Sequence, residues 1–281
     1  GRRQRDVGGE GPRADRRWPV SAEVRLGRWQ DVLAGVRPDT VIVDAPYSEQ
    51  THKGAIGNEG DADAMGPADG HARVPILYPW WTGTDVDAFV GSWAPRVSCW
   101  IVSITDTDLA PMWRASYEAH GLYAFPPLGI VISGMGVRMA ADGPASWTLH
   151  LCVARRKGRG LSTAAPDKIW RSLPGGYTGP AASTMAGGRG KPAWLLDALV
   201  RDYSDPGMTI VDPCAGWGST LVAARNAGRN AIGAEMDPAA FERCQHALSG
   251  DMAAYARAAP KREREADPDR PGLFDAIGGD R

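Results

Sequence analysis

Ile210-Val211-Asp212-Pro213-Cys214-Ala215-Gly216-Trp217-Gly218-Ser219-Thr220 is a short apolar run that ends at an acid, crosses a Gly-x-Gly turn and enters a helix. In an open α/β sheet, ligands bind beyond the carboxyl ends of the strands, where Asp212 stands. Glycines at positions 216 and 218 let the backbone approach a ligand without a Cβ clash. A lone Gly-x-Gly is also compatible with an ordinary tight turn, so the continuation matters. Asn226-Ala227-Gly228-Arg229 ends the helix, Ala231 to Ala234 reads as the next strand, and Glu235 stands at its end. An acid there is placed to accept hydrogen bonds from ribose hydroxyls. The third glycine and the long phosphate-cradling turn of a dinucleotide site are missing. S-adenosylmethionine, which carries no phosphate, therefore fits better than a nicotinamide dinucleotide. The bland alternative is that Asp212 and Glu235 only cap strands and helices.

Outward from this run, strands alternate with helices, which predicts a mostly parallel sheet covered on both faces. Downstream, Pro238 to Leu248 reads as a helix. Upstream, Pro192 to Tyr203 is a helix with Trp194, Leu195, Ala198 and Leu199 on one stripe. Asp205-Pro206-Gly207 is a turn into the strand Met208–Val211. Val41-Ile42-Val43 is a β-branched buried strand, running into Asp44-Ala45-Pro46-Tyr47. Strands are also expected at Val24–Leu26, Cys99–Ile104, Leu128–Ser133 and Trp147–Ala154. Helices are expected at Trp29–Val36, Asp85–Trp93 and Ala110–His120. Ser48 to Arg73 is polar with scattered glycine and reads as a long loop.

The chain has 281 residues, 43% of them hydrophobic, enough for one large α/β domain. No apolar run approaches the roughly 20 residues of a membrane span. Gly1 to Arg17 holds six Arg and three acids without periodicity. Residues 1–19 are expected to be a disordered arm rather than a secretory signal. Four scattered cysteines form no C-x-x-C pair, which suggests reduced thiols, a cytoplasmic location and no metal site. The net charge is −1, yet residues 155–191 carry eight basic residues against the single acid Asp167. Such a stretch can follow a phosphate backbone, or be a solvated loop.

Taken together, Lys191-Pro192-x-x-Leu195, Asp205-Pro206-Gly207, Val211 to Thr220, Gly228-Arg229 and Gly233-x-Glu235, with Asp44-Ala45-Pro46-Tyr47 far upstream, resemble the amino-group DNA methyltransferases of the permuted β class. The resemblance is strong from Lys191 to Leu248, clear at Val41 to Tyr47 and faint between. It implies a Rossmann-like seven-stranded sheet with helices on both faces. The strand after Asp205-Pro206-Gly207 is expected to be central, beside the strand ending at Asp44. It also implies methyl transfer from S-adenosylmethionine to N6 of adenine or N4 of cytosine. Lys191 and Pro192 would open the helix backing the cofactor. Asp212 and the Gly216 to Gly218 turn would face its methionine moiety and Glu235 its ribose, with Pro213, Cys214, Ala215, Ser219 and Thr220 in the same cofactor site.

The tetrapeptide is similar to the family's Asp-Pro-Pro-Tyr, and the chemistry explains its residue types. An exocyclic amine is a poor nucleophile because its lone pair is delocalised into the ring. Asp44 and a backbone carbonyl of the turn, most simply that of Ala45, could each accept one N–H, while Tyr47 offers a face to a flipped base. An Asp in first position favours adenine; cytosine-N4, RNA, or an inactive cofactor- and DNA-binding module are the alternatives. Two positions depart from the family pattern. Ala45 replaces a proline, which predicts a looser turn. Gly27 is followed by Arg28 where the family has Asp, leaving Trp29 to stack on the cofactor adenine or Asp31 to substitute.

The expected division is a catalytic half at 20–154, a small basic target-recognition insertion at 155–190, a cofactor half at 191–248 and a flexible tail at 249–281. Arg155, Arg156, Lys157 and Arg159 are expected on phosphates. Trp170, Arg171 and Tyr177 are candidates for base contacts or for packing. His52 and Lys53 are candidates to touch DNA or close over the base. DNA is the expected partner, with a monomer or homodimer as the working unit. In the tail, Leu273-Phe274 faintly resembles the short motifs that dock on sliding clamps.

Overall fold

The computed structural model describes residues 20–56, 78–133, 146, 148–156, 173–180 and 191–250, the side chains of 53–56 excepted. Along the chain run β1 (Ala22–Leu26), α1 (Trp29–Val32), β2 (Thr40–Asp44), α2 (Glu49–Ile56), α3 (Gly83–Trp93), β3 (Trp100–Thr105), α4 (Ala110–Ala119) and β4 (Leu122–Ala124). They are followed by β5 (Leu128–Ser133), β6 (Thr148–Arg156), β7 (Gly176–Pro180), α5 (Ala193–Tyr203), β8 (Thr209–Asp212), α6 (Ser219–Asn226), β9 (Asn230–Glu235) and α7 (Pro238–Ser249).

All nine strands belong to one sheet, ordered β1-β9-β8-β2-β3-β6-β5-β7, with β4 also paired to β6. The block β1-β9-β8-β2-β3 is parallel, so its carboxyl ends share one edge. The expected adjacency of the strands ending at Asp44 and Asp212 is present, in the register Val41↔Val211. The sheet has nine strands among the described residues rather than seven. The short pieces β4 and β7 were invisible to periodicity because they form by pairing with β6 and β5.

Alternation sorts the strand side chains onto two buried faces. Ile42, Val102, Ile104, Ile210 and Ala231 join the core under α5 and α6. Val41, Val43, Ile101, Val211 and Ala234 join the core under α3 and α4. Local signals set the helix ends. Asp85 accepts hydrogen bonds from both the backbone N–H and the hydroxyl of Thr82, a capping arrangement that opens α3. Asp237 accepts from the Ala239 N–H at 2.8 Å, followed by Pro238 in the first turn of α7. Gly250 closes that helix at φ 78°.

Two expectations need correction. The start of the long loop is helical: Glu49–Ile56 forms α2. The 155–190 segment does not stand wholly apart, because Arg155 and Arg156 finish β6 and Gly176–Pro180 forms β7. The arm 1–19 and residues 251–281 of the tail lie outside the described residues.

Candidate active site

Three acids stand at the carboxyl ends of adjacent strands: Glu235 on β9, Asp212 on β8 and Asp44 on β2. Asp212 is buried and accepts the Cys214 N–H at 3.1 Å. Burial pushes its carboxyl up to about 7; hydrogen bonds from Thr220 and Cys214 pull it back, while the charges of Asp44 and Glu235 push it further. Glu235 is raised by burial, offset by backbone N–H groups. Its Oε2 accepts from Gly216 and its Oε1 from Asp237, both at 2.8 Å. The turn between β8 and α6 is thereby clamped to the end of β9, and the Ala215 N–H adds a bond to the Ala234 carbonyl.

Gly216 and Gly218 both have positive φ, 52° and 83°. They serve different ends. A Cβ on Gly216 would meet nothing within 4 Å, so that face of the turn is open. A Cβ on Gly218 would lie 2.6 Å from Cys244 Sγ, so that glycine lets α7 pack close. Pro213, Ala215 and Thr220 are buried around the same turn, with Cys214 and Ser219 half-buried. Burial, together with the neighbouring acids, pushes the Cys214 thiol well above its ordinary range, so it is no nucleophile.

At the end of β2, both oxygens of Asp44 are engaged. Oδ1 accepts the Tyr47 hydroxyl at 2.9 Å, and Oδ2 pairs with Lys191 Nζ at 2.6 Å. The Asp44 side chain is thereby held from two sides. The Tyr47 carbonyl accepts the Trp81 N–H at 3.0 Å. Ser48 donates its N–H and its hydroxyl to Asp106 Oδ2, at 2.8 and 2.6 Å. Ala45 is buried in the core beneath α3 and α4, so the methyl at the proline position is packed. Asp106 also accepts from the Thr51 hydroxyl and the Leu109 N–H. Burial opposes its ionisation, but these bonds prevail and hold its carboxyl below the usual range.

Asp106 and Ser48 escaped sequence reading. The only signal was an acid at the end of β3, three residues before the Leu109 N–H that it caps. Tyr78 and Trp80 also escaped it: both are exposed, and both rings lie edge-on to His52, at 5.3 and 6.4 Å between centroids.

Several sequence-predicted contacts go elsewhere. Trp29, partly buried, packs its ring against Phe89 and Trp93 at 5.2 and 5.9 Å, at the margin of the core under α3 and α4. Lys191 reaches Asp44, while Pro192 opens α5 by accepting the Leu195 N–H. His52 is buried under the two aromatics, with its imidazole held down by burial against a partial counter-effect from Asp106; it is not a surface contact. Tyr177 is buried in β7 with its hydroxyl donating to Asp202 at 2.8 Å, an arrangement that favours the packing alternative. Arg155 pairs with Trp100 at the amino end of β3, its guanidinium 5.7 Å from the Phe125 centroid. Arg156 donates to the Pro95 carbonyl. Both arginines lie toward the opposite end of the sheet from Asp44, at least about 13 Å away along the strands. Of the basic residues counted along the chain, these two lie a strand's length from the site, while Lys191 reaches it. The side chain of Lys53, and Lys157, Arg159, Trp170, Arg171, Leu273 and Phe274, lie outside the described residues.

Residues 182–246 match the family model described as DNA methylase. The fold is shared with three solved structures. M1.HpyAVI in complex with SAM is 14% identical, with a TM-score of 0.54 over 80% of this chain and 98% of that one. TTHA0409 of Thermus thermophilus, described as a candidate DNA modification methylase, is 18% identical, with a TM-score of 0.55 over 86% of this chain and 97% of that one. PvuII DNA methyltransferase, described as cytosine-N4-specific, is 11% identical, with a TM-score of 0.53 over 85% of this chain and 94% of that one. At these identities the likeness establishes the fold. No curated protein matches the chain.

Proposed function

We propose that the chain is an amino-group DNA methyltransferase, as the match of residues 182–246 to the DNA methylase model and the shared fold support, and that it transfers the methyl group of S-adenosylmethionine to the exocyclic N6 of a flipped adenine in DNA. The observation that supports this reading best is the adjacency of two unlike sites on one sheet edge. The acidic, glycine-turned ends of β8 and β9 lie beside the Asp44 turn at the end of β2.

The residues present suit the cofactor. It carries a sulfonium and an ammonium, and the groups that set the ionisation of the buried Asp212 among the described residues are hydrogen-bond donors and the acids Asp44 and Glu235, with no cation. Gly216 leaves open the space a side chain would fill. Glu235, fixed by two backbone N–H groups, stands where ribose hydroxyls would be met. When bound, S-adenosylmethionine supplies an electrophilic methyl group.

The chain's own residues do the rest. Asp44 accepts an N–H of the target amine, which favours a tetrahedral nitrogen with its lone pair free for attack. Tyr47 lies against Asp44 and offers its ring to the base. Asp106 holds Ser48, and so the turn, in place. Exposed Tyr78 and Trp80 add aromatic surface next to it. Holding amine and methyl in line supplies most of the remaining acceleration. Adenine is favoured over cytosine because Asp44 fills the first position of the tetrapeptide.

The test is mass spectrometry of nucleosides after incubation with S-adenosylmethionine and, separately, unmodified duplex DNA, single-stranded DNA and RNA. N6-methyladenine in duplex DNA is expected. N4-methylcytosine, methylation confined to RNA, or no product at all would each replace this reading with one of its rivals.

A further inference from the structure

Lys191 belongs by sequence to the cofactor half, one residue before the proline that opens α5. Its side chain crosses to the other half. Nζ lies 2.6 Å from Asp44 Oδ2 and 5.0 Å from the centroid of the Tyr47 ring. The lysine side chain is 10% exposed against 33% for Asp44, so the ammonium has largely left water and the carboxylate remains open to an incoming group. Pro192, which is buried and starts the helix, fixes the backbone from which the lysine reaches.

We propose that Lys191 is a positioning residue of the base side of the reaction: a nearly buried counter-ion that sets the direction of the Asp44 carboxylate and the plane of the Tyr47 ring, and is not a cofactor ligand. The proposal rests on the methyl-transfer reading above. A carboxylate oxygen has two lone pairs. The ammonium takes one on Oδ2 and the tyrosine hydroxyl takes one on Oδ1, which leaves acceptor capacity on both for an amine N–H. Asp212 and Glu235, at the ends of the neighbouring strands, bring only negative charge to this edge. Without Lys191 the carboxylate would keep only the Tyr47 hydroxyl on Oδ1 among these contacts, and a small misplacement of a reacting group is costly.

The experiment compares wild type with Lys191→Met, which keeps the stem and removes the charge, and with Lys191→Arg, which keeps the charge. Methyl transfer to unmethylated genomic DNA gives kcat and KM, calorimetry gives the affinity for S-adenosylmethionine, and thermal melting reports folding. The expected result is a kcat about 10- to 100-fold lower in Lys191→Met, of the size a misplaced catalytic group produces. KM and cofactor affinity should stay close to wild type, and Lys191→Arg should recover most of the loss. If Lys191→Met does not fold, Lys191→Gln is measured in its place. A fall in cofactor affinity that matches the fall in kcat/KM would make Lys191 a cofactor contact and overturn the proposal, as would unchanged kcat. A wild-type protein that methylates no nucleic acid would instead overturn the proposed function.

Discussion

Asp106 accepts both the backbone N–H and the hydroxyl of Ser48, at 2.8 and 2.6 Å, joining the end of β3 to the turn that follows Asp44-Ala45-Pro46-Tyr47. This bond pair ties the backbone after the tetrapeptide, in which Ala45 stands in place of a second proline, to the end of β3. Replacing Asp106 by Asn sets an NH₂ group against donors from Ser48, Thr51 and Leu109. A stability loss of about 3 kcal/mol is expected from the unsatisfied buried groups. Because the Asp106 carboxyl is held below its ordinary range, its contribution is present at neutral pH and is lost as pH falls through the folded value. Urea denaturation from pH 7 to pH 3 should show a steeper acid loss in wild type than in Asp106→Asn. Equal slopes would remove Asp106 from the account.

Asp212 has the opposite sign. Its folded value of about 7 lies above the ordinary 3.8, so the folded state binds the extra proton between the two. Stability from this group is full below the unfolded value and falls as pH rises through about 7. The difference amounts to roughly 4 kcal/mol at most. Denaturation of the cofactor-free protein between pH 4 and pH 8 should lose that slope in Asp212→Asn. Since a cationic ligand favours the ionised form, S-adenosylmethionine should also bind more tightly to wild type as pH rises across this window, with little change in the variant. Calorimetry at several pH values checks this, and parallel profiles would contradict it.

The two glycines of the turn separate open space from packing. Gly216→Ala places a methyl in open space at φ 52°, so it should cost only about 1–2 kcal/mol of stability while lowering cofactor affinity at least about tenfold, or about 1.4 kcal/mol. Gly218→Ala drives a methyl against Cys244 Sγ and should cost a further ~1–3 kcal/mol through overpacking. Melting curves and cofactor titrations of both variants would show whether the assignments are reversed.

Tyr177→Phe removes the hydroxyl that Asp202 accepts in β7. A loss of about 1 kcal/mol of stability is expected, with DNA affinity unchanged. A selective loss of DNA binding without a change in melting would return Tyr177 to the recognition surface.

These residues also mark what could be read in the chain. The strand ends at Asp44, Asp212 and Glu235 were legible because each is a β-branched or apolar run terminated by an acid, a pattern that local chemistry carries. The Asp106–Ser48 bond spans 58 residues and follows no period, so only the folded sheet brings it together. Strand β7, Gly-Tyr-Thr-Gly-Pro, has almost no intrinsic strand preference and exists through its register with β5. Trp29 carried no local sign of whether its ring would face a ligand or Phe89.

The most direct test of the central claim sets wild type beside Asp44→Ala, with unmethylated duplex DNA and labelled S-adenosylmethionine, and measures N6-methyladenine formed per enzyme by mass spectrometry. Calorimetry on the same samples reports cofactor binding. The account predicts N6-methyladenine with wild type and none with Asp44→Ala, while the variant still binds the cofactor. N6-methyladenine formed by Asp44→Ala at the wild-type rate would contradict it.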